Sequence, residues 1–300
     1  MEYLHNEREL FVDAINFAAN HFKVLPAVVE KDYYVTMILR IFSSKMPFIV
    51  FKGGTSLSKC YKAIKRFSED IDITIDTKIS QGQMGKLKDA IVATSEELGL
   101  RIPNLSETKS RRSYNKYEFE YTSVTGEIYE AVSSKVIMET SFSEISFPID
   151  FLPVHSYIGD ILEKEAPDVL TEYSLESFEM KVQMINRTFI DKVFAICDYY
   201  LKGDVKRHSR HIYDIYKLLP LITLDDDFKT LVNEVRMLRA LNEKLCPSAH
   251  MNVSELLNRL ITEDAYKSDY ENITARILEE TVPYEATITA LKAVARSGTF

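Results

Sequence analysis

The stretch KGGTSLSKCYKAIKRFSEDIDITID constrains the fold more than any other part of this chain. Residues 48–51 form a short apolar run that ends at Gly53 and Gly54, a pattern typical of a buried strand entering a tight turn. Residues 57–66 have helical spacing, and residues 71–76 alternate apolar and polar side chains like a half-buried strand. A strand, a glycine turn, a helix and a second strand in this order predict an α/β domain.

Two carboxylates on the second strand are the strongest candidates for chemistry. Asp70 and Asp72 are separated by one residue, so both side chains should point to the same face, about 6.5 Å apart. Ile71, Ile73 and Ile75 should point to the other face, into the core. Carboxylate oxygens suit Mg²⁺, and two such ions can align a hydroxyl group with a nucleoside triphosphate. The alternative is a strand face that binds only water. Asp76 falls at the strand end, and we assign it a structural role.

The double-glycine turn predicts a phosphate-binding loop. Gly53 and Gly54 allow the backbone to approach a phosphate closely, and the first turn of the next helix offers free N–H groups. Thr55 and Ser56 would add hydroxyl donors. The spacing of a Walker A loop is absent, so a P-loop NTPase is excluded.

These residues carry a resemblance to a known family. KGGTSLSKCY followed by KRFSEDIDITI resembles the first motif of the AbiEii/AbiGii-type toxin nucleotidyltransferases, which belong to the polymerase-β-like superfamily. VVEKDYYVTMILR resembles the preceding helix of that family, and RTFIDKVFAI and SRHIYDIYKLL resemble later motifs, so the similarity spans residues 29–219. One departure is Asp191, where many relatives carry Glu.

The resemblance implies an activity and its partners. It implies transfer of a nucleoside monophosphate from an NTP to an RNA acceptor, expected to be the 3′ end of tRNA, with two Mg²⁺ ions and release of pyrophosphate. It also implies growth arrest by a toxin, with a cognate antitoxin, in a type IV toxin–antitoxin or phage-defence system. Alternatives are nucleotide transfer to a protein or small-molecule hydroxyl, and a catalytically silent nucleotide-binding scaffold.

A third carboxylate usually completes such a metal site from a neighbouring strand. Glu139 in SKVIMETSF is the preferred candidate, because its strand should run beside that of Asp70. Asp150 in FPIDFL is the rival. Either could instead be a surface acid on an edge strand.

The later motifs supply further candidates. The resemblance implies that Lys192 reaches the nucleotide phosphates and that Asp214 orients Lys192, with Arg210 and His211 helping to assemble the site. Spacing alone would instead make Lys192 a solvated lysine, and Arg210 and Asp214 an exposed ion pair one helical turn apart. Arg187 could hold a neighbouring acid, a phosphate or the start of its helix.

The pattern of the whole chain predicts two lobes. Residues 1–165 should form the nucleotidyltransferase lobe, a mixed sheet of four or five strands flanked by helices. Residues 166–300 should form a mainly helical lobe that contributes Lys192 and Asp214 to the site. Within the first lobe we expect helices at 8–22 and 27–43 and further strands at 117–122, 134–140 and 144–151.

Charge limits how the chain could bind RNA. The formal net charge is −8, with 37 basic and 45 acidic residues, which argues against nonspecific coating of nucleic acid. RNA contact would need a local basic patch, or else these charges only face water. The first candidate patch comprises Lys202, Lys206, Arg207, His208, Arg210 and His211 with Tyr199, Tyr200 and Tyr213, and the second comprises Lys109, Arg111, Arg112 and Lys116.

Other features indicate an ordinary cytoplasmic protein. No apolar run approaches the ~20 residues of a membrane-spanning helix, and the N-terminus does not resemble a signal peptide. The three cysteines lack paired spacing and are expected to be reduced packing residues. The run Asp225–Asp227 is expected to be a solvated or helix-capping segment.

Overall fold

The computed structural model describes residues 2–68, 70–110, 112–126 and 132–300, with only the backbone of Ser143 and Glu144. The chain forms two compact units. One, the sheet unit, consists of Met1–Cys60 and Ser68–Val182, and the other, the helical unit, consists of Tyr61–Phe67 and Gln183–Phe300. The division falls later than the predicted boundary after residue 165, because the chain forms one more strand before the long helices begin.

A mixed sheet is the framework of the first unit. Within the described residues, six strands lie in the order β3-β4-β2-β1-β6-β5. The strands are β1 (Ile49–Lys52), β2 (Ile71–Ile75), β3 (Tyr114–Glu120), β4 (Lys135–Ile145), β5 (Ile149–Val154) and β6 (Phe178–Gln183). The helices are α1 (Arg8–Phe22), α2 (Pro26–Lys45), α3 (Gly53–Lys59), α4 (Gln81–Glu97), α5 (Tyr157–Glu165) and α6 (Pro167–Glu172). The predicted class, a mixed sheet with flanking helices followed by mainly helical sequence, is confirmed.

Sequence reasoning missed one strand and extended one helix too far. β6 lies where a helical lobe was expected, although Glu179 and Lys181 alternate there with buried neighbours as a strand requires. The helix predicted over 57–66 ends at Lys59 instead. The chain then enters the helical unit, where Arg66 forms an antiparallel bridge with Leu278.

The long helix α2 forms the centre of the core behind the sheet. It begins with Pro26 in its first turn, where the missing N–H group removes no helical hydrogen bond. It packs against α1, α4, α5 and β4, and it is buried nearly all round. Its buried charges have partners, since Glu30 accepts hydrogen bonds from the Ser123 hydroxyl and the Val124 N–H. Unpartnered, such a charge would be costly in the core.

The second unit is built around α7. Its helices are α7 (Ile185–Leu201), α8 (Arg210–Leu218), α9 (Asp226–Ala240), α10 (Val253–Thr262), α11 (Lys267–Asn272) and α12 (Tyr284–Arg296). α7 packs against α8, α9 and α10, and it buries Phe189 and Phe194 completely, each contributing roughly 1.5–3 kcal/mol. The Asp225 side chain caps α9 by accepting from the Phe228 N–H, which confirms the capping role. All three cysteines are free thiols, as expected.

Among the described residues, no helix has both the length and the apolar character needed to cross a bilayer.

Candidate active site

The strand β2 presents the predicted carboxylates. Ile71, Ile73 and Ile75 are buried, while Asp72 lies on the opposite, half-buried face, and Asp70 immediately precedes the strand. Asp76, on the same face at the strand end, forms an ion pair with Lys181 of β6. It therefore has the structural role predicted for it.

Sheet register brings Glu139 beside Asp72. β2 and β4 run parallel, and Asp72 is the direct partner of Glu139. The phenol of Tyr114 lies nearby, and its pKa is raised to about 12. Burial is the largest cause, followed by the charge of Glu139 and then by those of Asp72 and Asp70. The carboxylates thus share one electrostatic environment.

The rival carboxylate lies elsewhere. Asp150 belongs to β5, which is separated from β2 by β1 and β6 in the strand order. Its side chain is exposed and accepts a hydrogen bond from the Phe151 N–H. Of the two candidates, the structure brings only Glu139 to Asp72.

Gly53 and Asp72 are in close contact. Gly53 adopts a φ of +81°, and a Cβ placed there would lie 1.9 Å from Oδ2 of Asp72. Only glycine fits, because an L side chain disfavours this conformation and would also collide with the carboxylate. Gly54 follows in the first turn of α3 and is half-buried.

The hydroxyl groups after the glycines have internal partners. The buried Ser56 hydroxyl donates to the Gly53 carbonyl at 2.9 Å. Thr55 Oγ1 lies 3.0 Å from Ser68 Oγ and is also buried. In this structure both hydroxyls stabilise the turn, and their role as phosphate donors stays a prediction.

The far end of α3 is anchored by a buried lysine that sequence reasoning left unassigned. Lys59 Nζ donates to Asp32 Oδ1 at 2.5 Å, to Thr36 Oγ1 at 2.8 Å and to the His155 carbonyl at 2.9 Å. The other oxygen of Asp32 accepts from the Tyr157 N–H. The charged triplet Glu-Lys-Asp inside the apolar sequence of α2 was the available signal, because charges in such a helix need buried partners.

Asp70, Asp72 and Glu139 offer oxygen donors of the kind that a divalent cation requires. Among the described residues, no three His, Cys, Asp or Glu side chains converge on one point as a finished metal site. Hard oxygen donors are nevertheless what Mg²⁺ requires, and neighbouring strands are about 4.8 Å apart, so side-chain rotation can bring Asp72 and Glu139 to one ion. By donor chemistry and register, Asp70, Asp72 and Glu139 fit such a cation.

The helical unit holds a separate buried charge cluster. Lys192 Nζ donates to Asp214 Oδ2 at 2.6 Å, and Arg66 binds both oxygens of Asp214 at 2.7 and 2.8 Å. Lys192 is 5% exposed and Asp214 is 0% exposed. The solvated lysine and the exposed Arg210–Asp214 pair, both alternatives from spacing, are therefore wrong. Arg66 was missed because its partner lies 148 residues away.

Burial and neighbouring charges set the protonation states in this cluster. Burial alone would raise the pKa of Asp214, but Arg66 and Lys192 hold it well below its usual range. Burial lowers the pKa of His211 far below 6.5, and Lys192 and Arg210 lower it further. His211 is consequently neutral near pH 7. Asp214 is a carboxylate whose oxygens both bind cations, which suits a positioning role.

Arg187 binds a neighbouring acid. Its guanidinium contacts Asp191 one turn along α7 at 3.2 Å, and Asp191 also lies 3.6 Å from Arg239. Of the three readings of Arg187, the structure shows the contact with an acid. The residue that departs from the family pattern, Asp191, retains the charge needed for both contacts.

The two basic segments differ from a simple RNA-binding surface. Tyr213 is completely buried, and its hydroxyl donates to Glu280, so it offers no ring for a base. Tyr199 is stacked on His208 with 3.4 Å between ring centroids. Lys202 donates to the Leu245 carbonyl. In the second segment Lys109, Arg112 and Lys116 are exposed, while Arg111 lies outside the described residues.

Comparison with known proteins identifies the family of this chain. Residues 38–293 match the family described as nucleotidyl transferase AbiEii toxin, type IV TA system. The chain belongs to this family, and it is a nucleotidyltransferase. A comparison with curated protein sequences finds no match.

A solved structure shows the same fold. The chain is similar to MenT4, a nucleotidyltransferase toxin from Mycobacterium tuberculosis, with a TM-score of 0.51 and 13% sequence identity. The similarity covers 94% of this chain and 88% of that protein. It supports the nucleotidyltransferase-like fold predicted from sequence.

Proposed function

We propose that this toxin transfers a nucleoside monophosphate from an NTP to the terminal hydroxyl of an RNA acceptor, with tRNA as the expected acceptor, in the cytoplasm. The proposal rests on the register that pairs Glu139 with Asp72, and on the close contact of Asp72 with Gly53. A carboxylate patch beside a glycine turn suits phosphoryl chemistry, and a cognate antitoxin would hold the activity in check.

In the proposed reaction, the acceptor oxygen forms a bond to the α-phosphorus as the bond from that phosphorus to pyrophosphate breaks. Asp70, Asp72 and Glu139 would hold Mg²⁺, which supplies charge neutralisation to the triphosphate when bound. Gly53, having no side chain, leaves room for the backbone turn to approach phosphate oxygens. The acceptor proton passes to solvent, so no dedicated protein base is required.

The family resemblance also assigns Lys192 to the nucleotide phosphates. We include it in the proposal, with Asp214 as the positioning residue that holds the ammonium group at 2.6 Å. Lys192→Gln should then raise the KM for NTP, and Asp214→Asn should reduce activity through Lys192. An unchanged KM for NTP in Lys192→Gln would remove this residue from the nucleotide site.

The test is transfer of label from each α-labelled NTP to total tRNA with Mg²⁺. The informative variant is Asp72→Asn, and its matched control is Asp150→Asn, the exposed rival carboxylate. Labelled RNA with wild type and Asp150→Asn, but not with Asp72→Asn or in EDTA, is the expected result. Equal labelling by Asp72→Asn would refute the site. Label on protein or a small molecule would replace the RNA acceptor, and NTP binding without pyrophosphate release would indicate a scaffold.

A further inference from the structure

Four charged residues form one row across the sheet unit. Lys52 of β1 pairs with Asp72 of β2, Asp72 pairs with Glu139 of β4, and Glu139 pairs with Lys116 of β3. Directly paired residues project from the same face, so the row reads lysine, aspartate, glutamate, lysine over about 14 Å. Asp72 and Glu139, two of the three candidate metal-binding acids, therefore lie between two lysines.

The flanking lysines, Lys52 and Lys116, differ in their contacts from a neighbouring lysine on the sheet. In the part of the chain that the structure describes, the ammonium groups of Lys52 and Lys116 form no hydrogen bond or ion pair. Lys135, on the same face as Lys116, behaves differently, because it contacts Glu118 at 3.2 Å and Glu120 at 2.9 Å. A cross-strand Lys–Glu pair ordinarily stabilises a sheet. Lys116 is exposed and does not form this pair with Glu139, which is consistent with a charge available to a ligand.

An exposed aromatic ring lies next to Lys116. Tyr114 projects from the same face of β3, two residues earlier, and 51% of its surface is exposed. Among the described residues its ring stacks on no other aromatic side chain. An accessible ring beside a free cation is the combination that binds unstacked bases and phosphates of single-stranded RNA.

The backbone carrying these two side chains is held rigidly. β3 is the outer strand of the sheet, and the Asn104 amide donates to the Lys116 carbonyl at 2.9 Å while its oxygen accepts from the Glu118 N–H at 3.0 Å. The Asn115 side chain binds the backbone N–H and carbonyl of Lys109, both at 3.0 Å. These contacts satisfy strand-edge groups and order the backbone of the strand that carries Tyr114 and Lys116, which reduces the entropy lost on binding.

The position of the row distinguishes its two ends. Lys52 directly precedes the glycine turn, so the β1 end suits the triphosphate. Tyr114 and Lys116 lie beyond Glu139, away from that turn in the strand order. A nucleophile must approach from the side of the carboxylates that the leaving pyrophosphate does not occupy, and in this sheet that is the β3 side.

We propose that Tyr114 and Lys116 form the acceptor-binding edge of the site, where Tyr114 stacks on a base of a single-stranded RNA end and Lys116 neutralises the adjacent backbone phosphate. This inference rests on the proposed function and names the surface that would receive its RNA substrate. It also selects Lys116 from the second basic segment, since among the described members of that segment Lys116 is the one that pairs with Glu139.

The test separates acceptor binding from nucleotide binding. Tyr114→Leu should raise the acceptor KM about 10-fold, within the range of one lost base stack, and leave the KM for NTP within about 2-fold. Tyr114→Phe, which keeps the ring, should restore most of the acceptor affinity. Lys116→Gln should weaken RNA binding and reduce the slope of log affinity against log salt by about 0.7. Lys135→Gln, which removes a charge from the same face, is the control and should change neither.

Binding is measured without turnover by fluorescence anisotropy, using a fluorescein-labelled single-stranded RNA of about eight nucleotides and protein carrying Asp72→Asn. Unchanged RNA affinity in both Tyr114→Leu and Lys116→Gln overturns the acceptor edge, even if wild type labels tRNA. A rise in the KM for NTP alone also overturns it. Weaker RNA binding by both variants supports the edge, and if wild type then fails to label RNA, only the transfer reaction is refuted.

Discussion

Replacing Gly53 by alanine is the sharpest test of the carboxylate geometry. The new Cβ would lie 1.9 Å from Asp72 Oδ2, whereas real contacts of this kind stay above 3.0 Å. The carboxylate must therefore move by about 1 Å, a displacement that costs roughly 100-fold in rate when a reactive geometry is disturbed. We expect Gly53→Ala to lose about 100-fold in nucleotide transfer, measured with labelled NTP.

Backbone strain has to be separated from this collision, and Gly99 provides the matched control. Gly99 has a φ of +63° and no atom within 4 Å of the added Cβ. Gly99→Ala therefore carries only the strain of a left-handed alanine, about 1–2 kcal/mol, which lowers the Tm by roughly 2–8 °C. Its transfer activity should remain within about 3-fold of wild type at temperatures well below the Tm.

A double-mutant cycle shows whether the collision is with Asp72. In an Asp72→Ala background most of the clash disappears, so the destabilisation by Gly53→Ala should fall to that of Gly99→Ala. The coupling free energy between positions 53 and 72, from urea unfolding, should be about 1–3 kcal/mol. Full transfer activity in Gly53→Ala, or a destabilisation unaffected by Asp72→Ala, would refute the reasoning. The unfolding measurement remains valid whatever the acceptor is.

Three further predictions concern the charges. Asp214→Asn removes the carboxylate that two buried cations share and should cost about 3–5 kcal/mol by urea unfolding at pH 7. Because the folded pKa of Asp214 is depressed, this difference should shrink as pH falls below about 4. The pKa of His211 is depressed, above all by burial, so the wild-type protein should lose stability as pH falls below about 6.5. In His211→Gln, the slope of the unfolding free energy against pH should be smaller by up to about 1.4 kcal/mol per pH unit. Glu139→Gln should lower the pKa of Tyr114 from about 12 toward its ordinary value of about 10. The pKa is measured by NMR of ring-labelled tyrosine, with Tyr114→Phe to assign the signal. An unchanged pKa would show that Glu139 does not face the phenol.

Local sequence patterns predicted the elements that depend on local physics. α1 and the start of α2 follow from helical spacing and Pro26, and the face shared by Asp70 and Asp72 follows from the two-residue period of a strand. β6 was missed because its short alternating pattern lies beside long helical periods. The internal partners of the Thr55 and Ser56 hydroxyls were not foreseen, because serine and threonine bind nearby backbone or hydroxyl groups as readily as ligands.

Contacts between distant segments could not be read from one sequence. The pairing of Glu139 with Asp72 depends on strand register, and a shift of one residue would turn Glu139 to the other face of the sheet. The same holds for the row that ends at Lys116, and for Arg66, whose type alone does not indicate a buried partner. The sequence alone indicated which residue types could carry chemistry, but the tertiary structure was needed to show which of them are neighbours.

The segment Tyr61–Phe67 belongs to the helical unit although the chain before and after it builds the sheet unit. Its Arg66 therefore emerges during synthesis 148 residues before its partner Asp214. At a synthesis rate of about 5–20 residues per second, Asp214 is made roughly 7–30 s after Arg66. The residues of β2, including Asp72, are thus synthesised well before the carboxylate that Arg66 binds. A fragment beginning at Gln183 would lack Arg66 altogether, so cutting the chain there would not release a self-sufficient helical unit.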